Sequence, residues 1–207
     1  MESSAIPAIP QRLTDRKRVA IVSAAIEEFL AAGYDATSMD RIAARANASK
    51  RTVYNHFPSK EALFAAILHQ LWDASQQGDV PAYRADEPLR AQLLDLLSRK
   101  LRLLNDESFL SLARVAIAAG IHSPERARDM VARLGEREED LTVWVRAAAA
   151  DGRLKTDDPL FAALQLQALV KGFAFWPQVT MGQAPLGERE QRQIAESAAD
   201  MFLARYA

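Results

Sequence analysis

The segment Ser49-Lys50-Arg51-Thr52-Val53-Tyr54-Asn55-His56-Phe57-Pro58-Ser59-Lys60 gathers basic, hydroxyl and amide side chains at the spacing of a short helix. That set suits phosphates and the edges of bases. Arginine can bind guanine through two parallel hydrogen bonds and asparagine can do the same with adenine, so Arg51, Thr52 and Asn55 are expected at base edges. Lys50 could serve a base or a phosphate. Tyr54, His56 and Lys60 are expected at phosphates, together with Thr37 and Ser38 a little upstream. The competing reading has Tyr54 and His56 packing the domain and Lys60 simply solvated. Ser49 reads as a helix N-cap, and the free amides beyond it, with the positive end of the helix dipole, suit an anion. Pro58 ends the helix because it has no N–H to donate and pushes Phe57 out of the α region. Ser59 then starts another helix, with Lys60 in its first turn.

Two upstream elements must hold this helix. From about Arg16 to Ala32, Val19, Val22, Ile26 and Phe29 fall at helical spacing along one face, and Gly33 stops the helix as a C-terminal cap. A second helix is predicted after Thr37, with Asp40 three residues on in a loose capping-box pattern, and with Met39, Ile42, Ala43 and Ala46 turned inward. The connection Asn47-Ala48-Ser49 is short, and asparagine tolerates the left-handed conformation that such turns need. The reading is three helices, the second and third forming a helix-turn-helix.

On these residues the stretch from about Val19 to Leu68 resembles the DNA-binding domain of the tetracycline-repressor (TetR) family of bacterial regulators. The resemblance is carried by Ala24-Ala25, Phe29, Gly33-Tyr34, Thr37-Ser38-Met39, Ile42-Ala43 and the run from Thr52 to Phe64. Asn47 stands where that family usually has glycine, and Arg51 replaces another frequent glycine, adding a cation at the groove. The resemblance implies a dimeric regulator, most simply a repressor, that binds a near-palindromic operator and is released by a small molecule. Residues 171–177 (Lys-Gly-Phe-Ala-Phe-Trp-Pro) resemble the AefR-like branch of the family.

The charge pattern agrees with a nucleic-acid partner at one end. The 207 residues carry 26 Lys and Arg against 27 Asp and Glu, but residues 1–60 hold nine basic and six acidic side chains, so this end is positive and the remainder negative. There is no cysteine, which excludes disulfides and thiol redox sensing. His56, His69 and His122 have no metal-binding spacing, and no phosphate loop or nucleophile motif is present, so a helical enzyme is the weakest reading and no cofactor or metal is expected. A helical small-molecule-binding protein without DNA function is the intermediate alternative; it conflicts with the retained basic and hydroxyl groups of residues 49–60. The first residues lack the basic start and apolar run of a signal peptide, and no stretch approaches a membrane span, so a cytoplasmic location is expected.

The fold expected is all-α: a disordered arm over 1–15, a helix-turn-helix domain over 16–62, and a helical ligand-binding and dimerisation domain over 63–207. Arg12, Arg16, Lys17 and Arg18 could let the arm reach DNA or could be a solvated helix start. Beyond the fourth helix, with Leu63, Phe64, Ile67, Leu68 and Leu71, helices are predicted over roughly 88–105, 107–120, 125–151, 158–177 and 188–206. The helix from Asp158 carries two apolar stripes, one of Leu160, Phe161, Leu164 and Phe175, the other of Leu166, Leu169, Val170, Phe173 and Trp176. A helix apolar on both sides must be buried on both. A second copy of the chain would cover one side, and the final helix, with Ile194, Ala198, Met201, Phe202 and Tyr206, would add to that surface. A monomer with these helices at its centre is the alternative. Phe109, His122, Met130, Trp144, Phe173 and Trp176 are the candidates for a mostly apolar effector pocket, although each taken alone could be ordinary core, and Lys171 could meet an anionic head group or snorkel to solvent.

Overall fold

Ten helices and their connections are formed by residues 13–76, 82–125, 127–128 and 140–207, the parts of the chain that the computed structural model describes. They are α1 (Leu13–Ala32), α2 (Met39–Arg45), α3 (Lys50–His56), α4 (Lys60–Gln76), α5 (Leu89–Leu104), α6 (Glu107–His122), α7 (Asp140–Ala150), α8 (Pro159–Ala174), α9 (Trp176–Thr180) and α10 (Glu188–Tyr206). The chain divides into two units, residues 1–69 and 70–207, with the division falling inside α4. Among the described residues no helix is long and apolar enough to cross a membrane. The expected disordered arm, with Arg12, falls almost wholly outside the described residues; α1 is helical from Leu13.

In the first unit α1 buries Ile21, Val22, Ala24, Ala25, Glu28 and Phe29, while Val19 points outward. Gly33 takes φ +81° and returns its N–H to the Phe29 carbonyl at 2.9 Å, a left-handed stop that a Cβ would strain. The N-cap of α2 is Ser38, one residue later than the sequence pattern indicated: its hydroxyl accepts from the Arg41 N–H. Thr37 is buried because its own hydroxyl has inward partners, the carbonyls of Gly33 (2.8 Å) and Glu28 (3.1 Å). Asn47 takes φ +47°, and around it Asn47 N–H donates to Ala44 O and Ala48 N–H to Ala43 O, the paired bonds of a Schellman turn. Asparagine therefore does here what glycine does more often.

In the second unit α8 is the central helix. Its Ala162, Ala163, Leu166, Gln167, Val170 and Ala174 are buried among α5, α7 and α10. The two-stripe reading holds only in part: Leu166 and Val170 are buried, but Phe173 and Trp176, assigned to the same stripe, are exposed, as are Leu160, Phe161 and Leu164. The helix expected over 158–177 also breaks, at Phe175 (φ −137°, ψ −61°). Pro177 has no N–H for the Phe173 carbonyl, which is instead met by the Gln178 side-chain amide at 3.3 Å. Of the helix expected over 125–151, Asp140–Ala150 forms α7 and residues 129–139 lie outside the described part. Buried Gln92 closes the approach to α5: Oε1 accepts from the Arg84 N–H and from Trp144 Nε1, and Nε2 donates to the carbonyls of Arg84 and Glu87.

The Arg45 guanidinium bonded to Glu28, together with Arg41 beside it, holds the Glu28 carboxyl below its ordinary value of 4.5. A depressed folded-state value means that this contribution to stability is present above 4.5 and is lost as pH falls through the lower folded value. Thermal unfolding followed from pH 7 to pH 3 should show the wild type losing stability more steeply over that acid range than Glu28→Gln. Equal acid sensitivity in the two proteins would contradict the pairing.

Candidate nucleic-acid interface

Helix α3 displays two faces of different chemistry. Val53 is fully buried and Phe57, its C-cap, nearly so, while Lys50, Arg51, Tyr54 and Asn55 are exposed together on the opposite side. Thr52 and His56 are half-buried on the flank. Ser49 caps the helix by accepting from the Thr52 N–H at 3.1 Å, and its Oγ lies 2.8 Å from Thr52 Oγ1. The cap residue and helix run are those expected from the sequence.

The exposed face is partly pre-paired. Lys50 Nζ is 2.6 Å from Asp40 of α2, and this carboxylate raises the lysine's pKa and keeps it cationic. Arg51 and Asn55 have no side-chain hydrogen-bond partner among the described residues, so their donors face outward unspent. Ser38 is exposed at the start of α2, whereas the hydroxyl of Thr37 is turned inward and works as a strut. Lys60, half-buried, directs its ammonium at the carbonyls of Tyr34, Asp35 and Thr37. Thus Lys50, Arg51, Thr52, Tyr54, Asn55 and His56 come together on one helix with Ser38 on another, while Thr37 and Lys60 belong to the turn behind them.

Residue-type reasoning missed the contributors behind this face. Glu28, nearly inaccessible, binds Arg45 Nε at 2.6 Å, and its second oxygen lies 2.8 Å from Arg41 Nε. Arg45 also reaches Glu27. The i, i+4 spacing of Arg41 and Arg45 was the available signal, since it puts both guanidinium groups on one face of α2. Arg18, read only as one of a basic cluster, stacks its guanidinium 4.4 Å from the centroid of the Phe57 ring at the end of α3.

Among the described residues the pocket candidates of the second unit are spread over several helices, though Phe109 and Trp176 both lie against the Phe175 ring. Trp144 is 2% exposed, with its N–H bound to Gln92, and packs edge-on against Tyr83. Phe109 is buried and lies 6.3 Å from the Phe175 ring. His122 is exposed at the end of α6, Phe173 and Trp176 are exposed, and Met130 lies outside the described residues. Lys171 donates to Gln167 Oε1 on its own helix.

A three-helix unit with a capped, cation-bearing third helix, followed by a larger helical unit, defines a helix-turn-helix regulator. Comparison with known proteins agrees. Residues 21–67 match the family described as bacterial regulatory proteins, tetR family, and residues 91–207 match the AefR-like transcriptional repressor C-terminal domain. A TetR-family regulator of Pseudomonas syringae pv. tomato str. DC3000 has a crystal structure 57% identical in sequence, with a TM-score of 0.83 over 94% of this chain and 98% of that one. The transcriptional regulator RutR of Escherichia coli (strain K12) is 30% identical over 172 residues, 81% of this chain and 79% of RutR. The flavonoid-responsive regulator FrrA is 30% identical with a TM-score of 0.66, covering 91% of this chain and 96% of FrrA. The chain belongs to the TetR family of DNA-binding transcriptional regulators, not to a family of enzymes.

Arg51→Ala and Asn55→Ala should each cost roughly 1–3 kcal/mol at one base position and relax preference there, while Ser38→Ala should weaken all sequences alike. Competition binding with duplexes mutated one base pair at a time separates the two patterns. A uniform loss for Arg51→Ala would remove it from base readout.

Proposed function

We propose that the protein is a homodimeric repressor whose release from a near-palindromic operator is driven by a largely apolar small molecule. In this reading Arg51, Thr52 and Asn55 meet base edges, Lys50 a base or a phosphate, and Ser38, Tyr54 and His56 the phosphate backbone. The observation that carries the dimer is an uncovered apolar surface: Phe173 of α8 is 63% exposed and Met201 of α10 57%. Between α8 and α10 an open groove of about 370 Å³ is lined by Leu169, Phe173, Ile194 and Met201, among others. Large apolar side chains clustered on two neighbouring helices suit burial against the same surface of a second copy, since a two-fold axis makes one patch its own partner.

Two recognition helices about 34–36 Å apart would enter successive major grooves on one face of B-DNA. An effector preferring a different separation would weaken operator binding, and operator would weaken effector binding by the same factor. Swinging the population from 1:99 to 99:1 needs a preference of about 5.5 kcal/mol between the two states; a tight ligand with no preference would do nothing. The match of residues 91–207 to the AefR-like repressor domain supports repression, and the flavonoid response named for FrrA supports an aromatic, mostly apolar effector. A cytoplasmic site of action follows from this reading.

Sedimentation at micromolar concentration should show a wild-type dimer. Phe173→Asp should raise the dimer dissociation constant by roughly 100-fold or more, because burying an unpaired carboxylate at the interface is costly, yet leave the subunit folded. A well-folded wild-type monomer would refute the dimer. In a second assay, a panel of flavonoids and other apolar aromatics should contain a binder that quenches tryptophan fluorescence and lowers operator affinity by a reciprocal factor. Binders that never alter operator affinity would count against induction.

A further inference from the structure

Lys60 begins α4, yet its ammonium is aimed back at the turn between α1 and α2. Nζ donates to the carbonyls of Tyr34 at 2.7 Å and Thr37 at 3.0 Å, lies 3.4 Å from that of Asp35, and sits 4.4 Å from the centroid of the Tyr34 ring. An ammonium has three N–H donors and no acceptor. Three carbonyls therefore fill its donor set, and a phosphate could be bound only by giving one of them up.

The turn it holds is gripped from other sides as well. The Tyr34 hydroxyl donates to Glu61 Oε1 at 3.2 Å, and its ring packs against Phe64 (5.1 Å) and Phe29 (5.3 Å). The Thr37 carbonyl directly precedes Ser38, the residue that caps α2. Whatever fixes that carbonyl fixes the backbone from which α2 sets out.

We propose that Lys60 is a positioning residue for operator binding: it holds the Tyr34–Thr37 backbone so that the start of α2 meets DNA in one attitude, and it is not itself a phosphate ligand. This rests on the operator-binding reading above. A guanidinium cannot replace it, because a planar fork presents its N–H groups in one plane, while the three carbonyls converge on a point that only a rotatable ammonium can satisfy.

The test uses the full-length protein and a duplex that the wild type has selected from a random pool, so failure of the wild type to select any duplex would mark failure of the operator reading itself. Affinity is measured across a salt series, in the cold, for wild type, Lys60→Met and Lys60→Arg, each confirmed as folded by circular dichroism. Both variants should lose ~10-fold or more in affinity, with the slope of log K against log salt unchanged. Three results would overturn the proposal: a slope shallower by about 1.8 for Lys60→Met, which is the loss of one phosphate contact in each half-site of the dimer; full rescue by Lys60→Arg; or reduced thermal stability with wild-type affinity in the cold. Should the variants not fold, the wild type still decides, by nitrogen-15 NMR of the Lys60 ammonium. Its resonance should be protected from exchange and keep its position when the duplex is added, and a large shift on DNA binding would assign the ammonium to phosphate.

Discussion

The attitude of the DNA-facing helices depends on one buried carboxylate. Glu28 is 4% exposed on α1, a position a charge can occupy only if it is paired. Arg41 and Arg45 pair it from successive turns of α2. Apolar contact is non-directional and tolerates sliding or rotation, whereas two guanidinium groups that must reach one carboxylate leave α2 little freedom to turn about its own axis. The Glu28 carbonyl adds a third tie by accepting from Thr37. Because the Asn47 turn is closed by two backbone bonds, α3 inherits the orientation that Glu28 gives α2.

The second unit rests on different physics. Small residues are prominent in its core: Ala162, Ala163 and Ala174 of α8 and Ala195, Ala198 and Ala199 of α10 are buried, and the two helices pack on each other. Leu166 and Val170 of α8 are buried as well, while Phe161, Leu164 and Phe173 stand outside. A helix that spends its alanines on its own subunit and its aromatics on the outside is shaped for association. Polar ties then fix the connections: the Asn105 side chain exchanges two hydrogen bonds with the Leu186 backbone, and Arg90 clamps Asp200 of α10 with two.

Local signals were legible wherever a residue type has only one good use. Ser49 as a cap, Pro58 as a stop, Gly33 and Asn47 as left-handed turns, and the outward face of α3 all follow from the chemistry of single residues. What was not legible depends on partners distant in sequence. Nothing near Thr37 reveals that its hydroxyl turns to carbonyls of α1, and nothing near Lys60 reveals three carbonyls waiting more than twenty residues upstream. Periodicity also could not divide the apolar residues of α8 between core and surface, because a helix apolar all round gives no face preference. The Phe175 break and the burial of Trp144 against Gln92 are likewise tertiary outcomes.

The central claim is that two copies of this chain present two copies of α3 to DNA. Sequencing the duplexes that the purified protein enriches from a random pool tests it most directly. The account predicts an inverted repeat whose half-site centres are separated by about 10 base pairs or a whole multiple of that turn. Enrichment of a single unrepeated motif, or of no sequence at all, would contradict it.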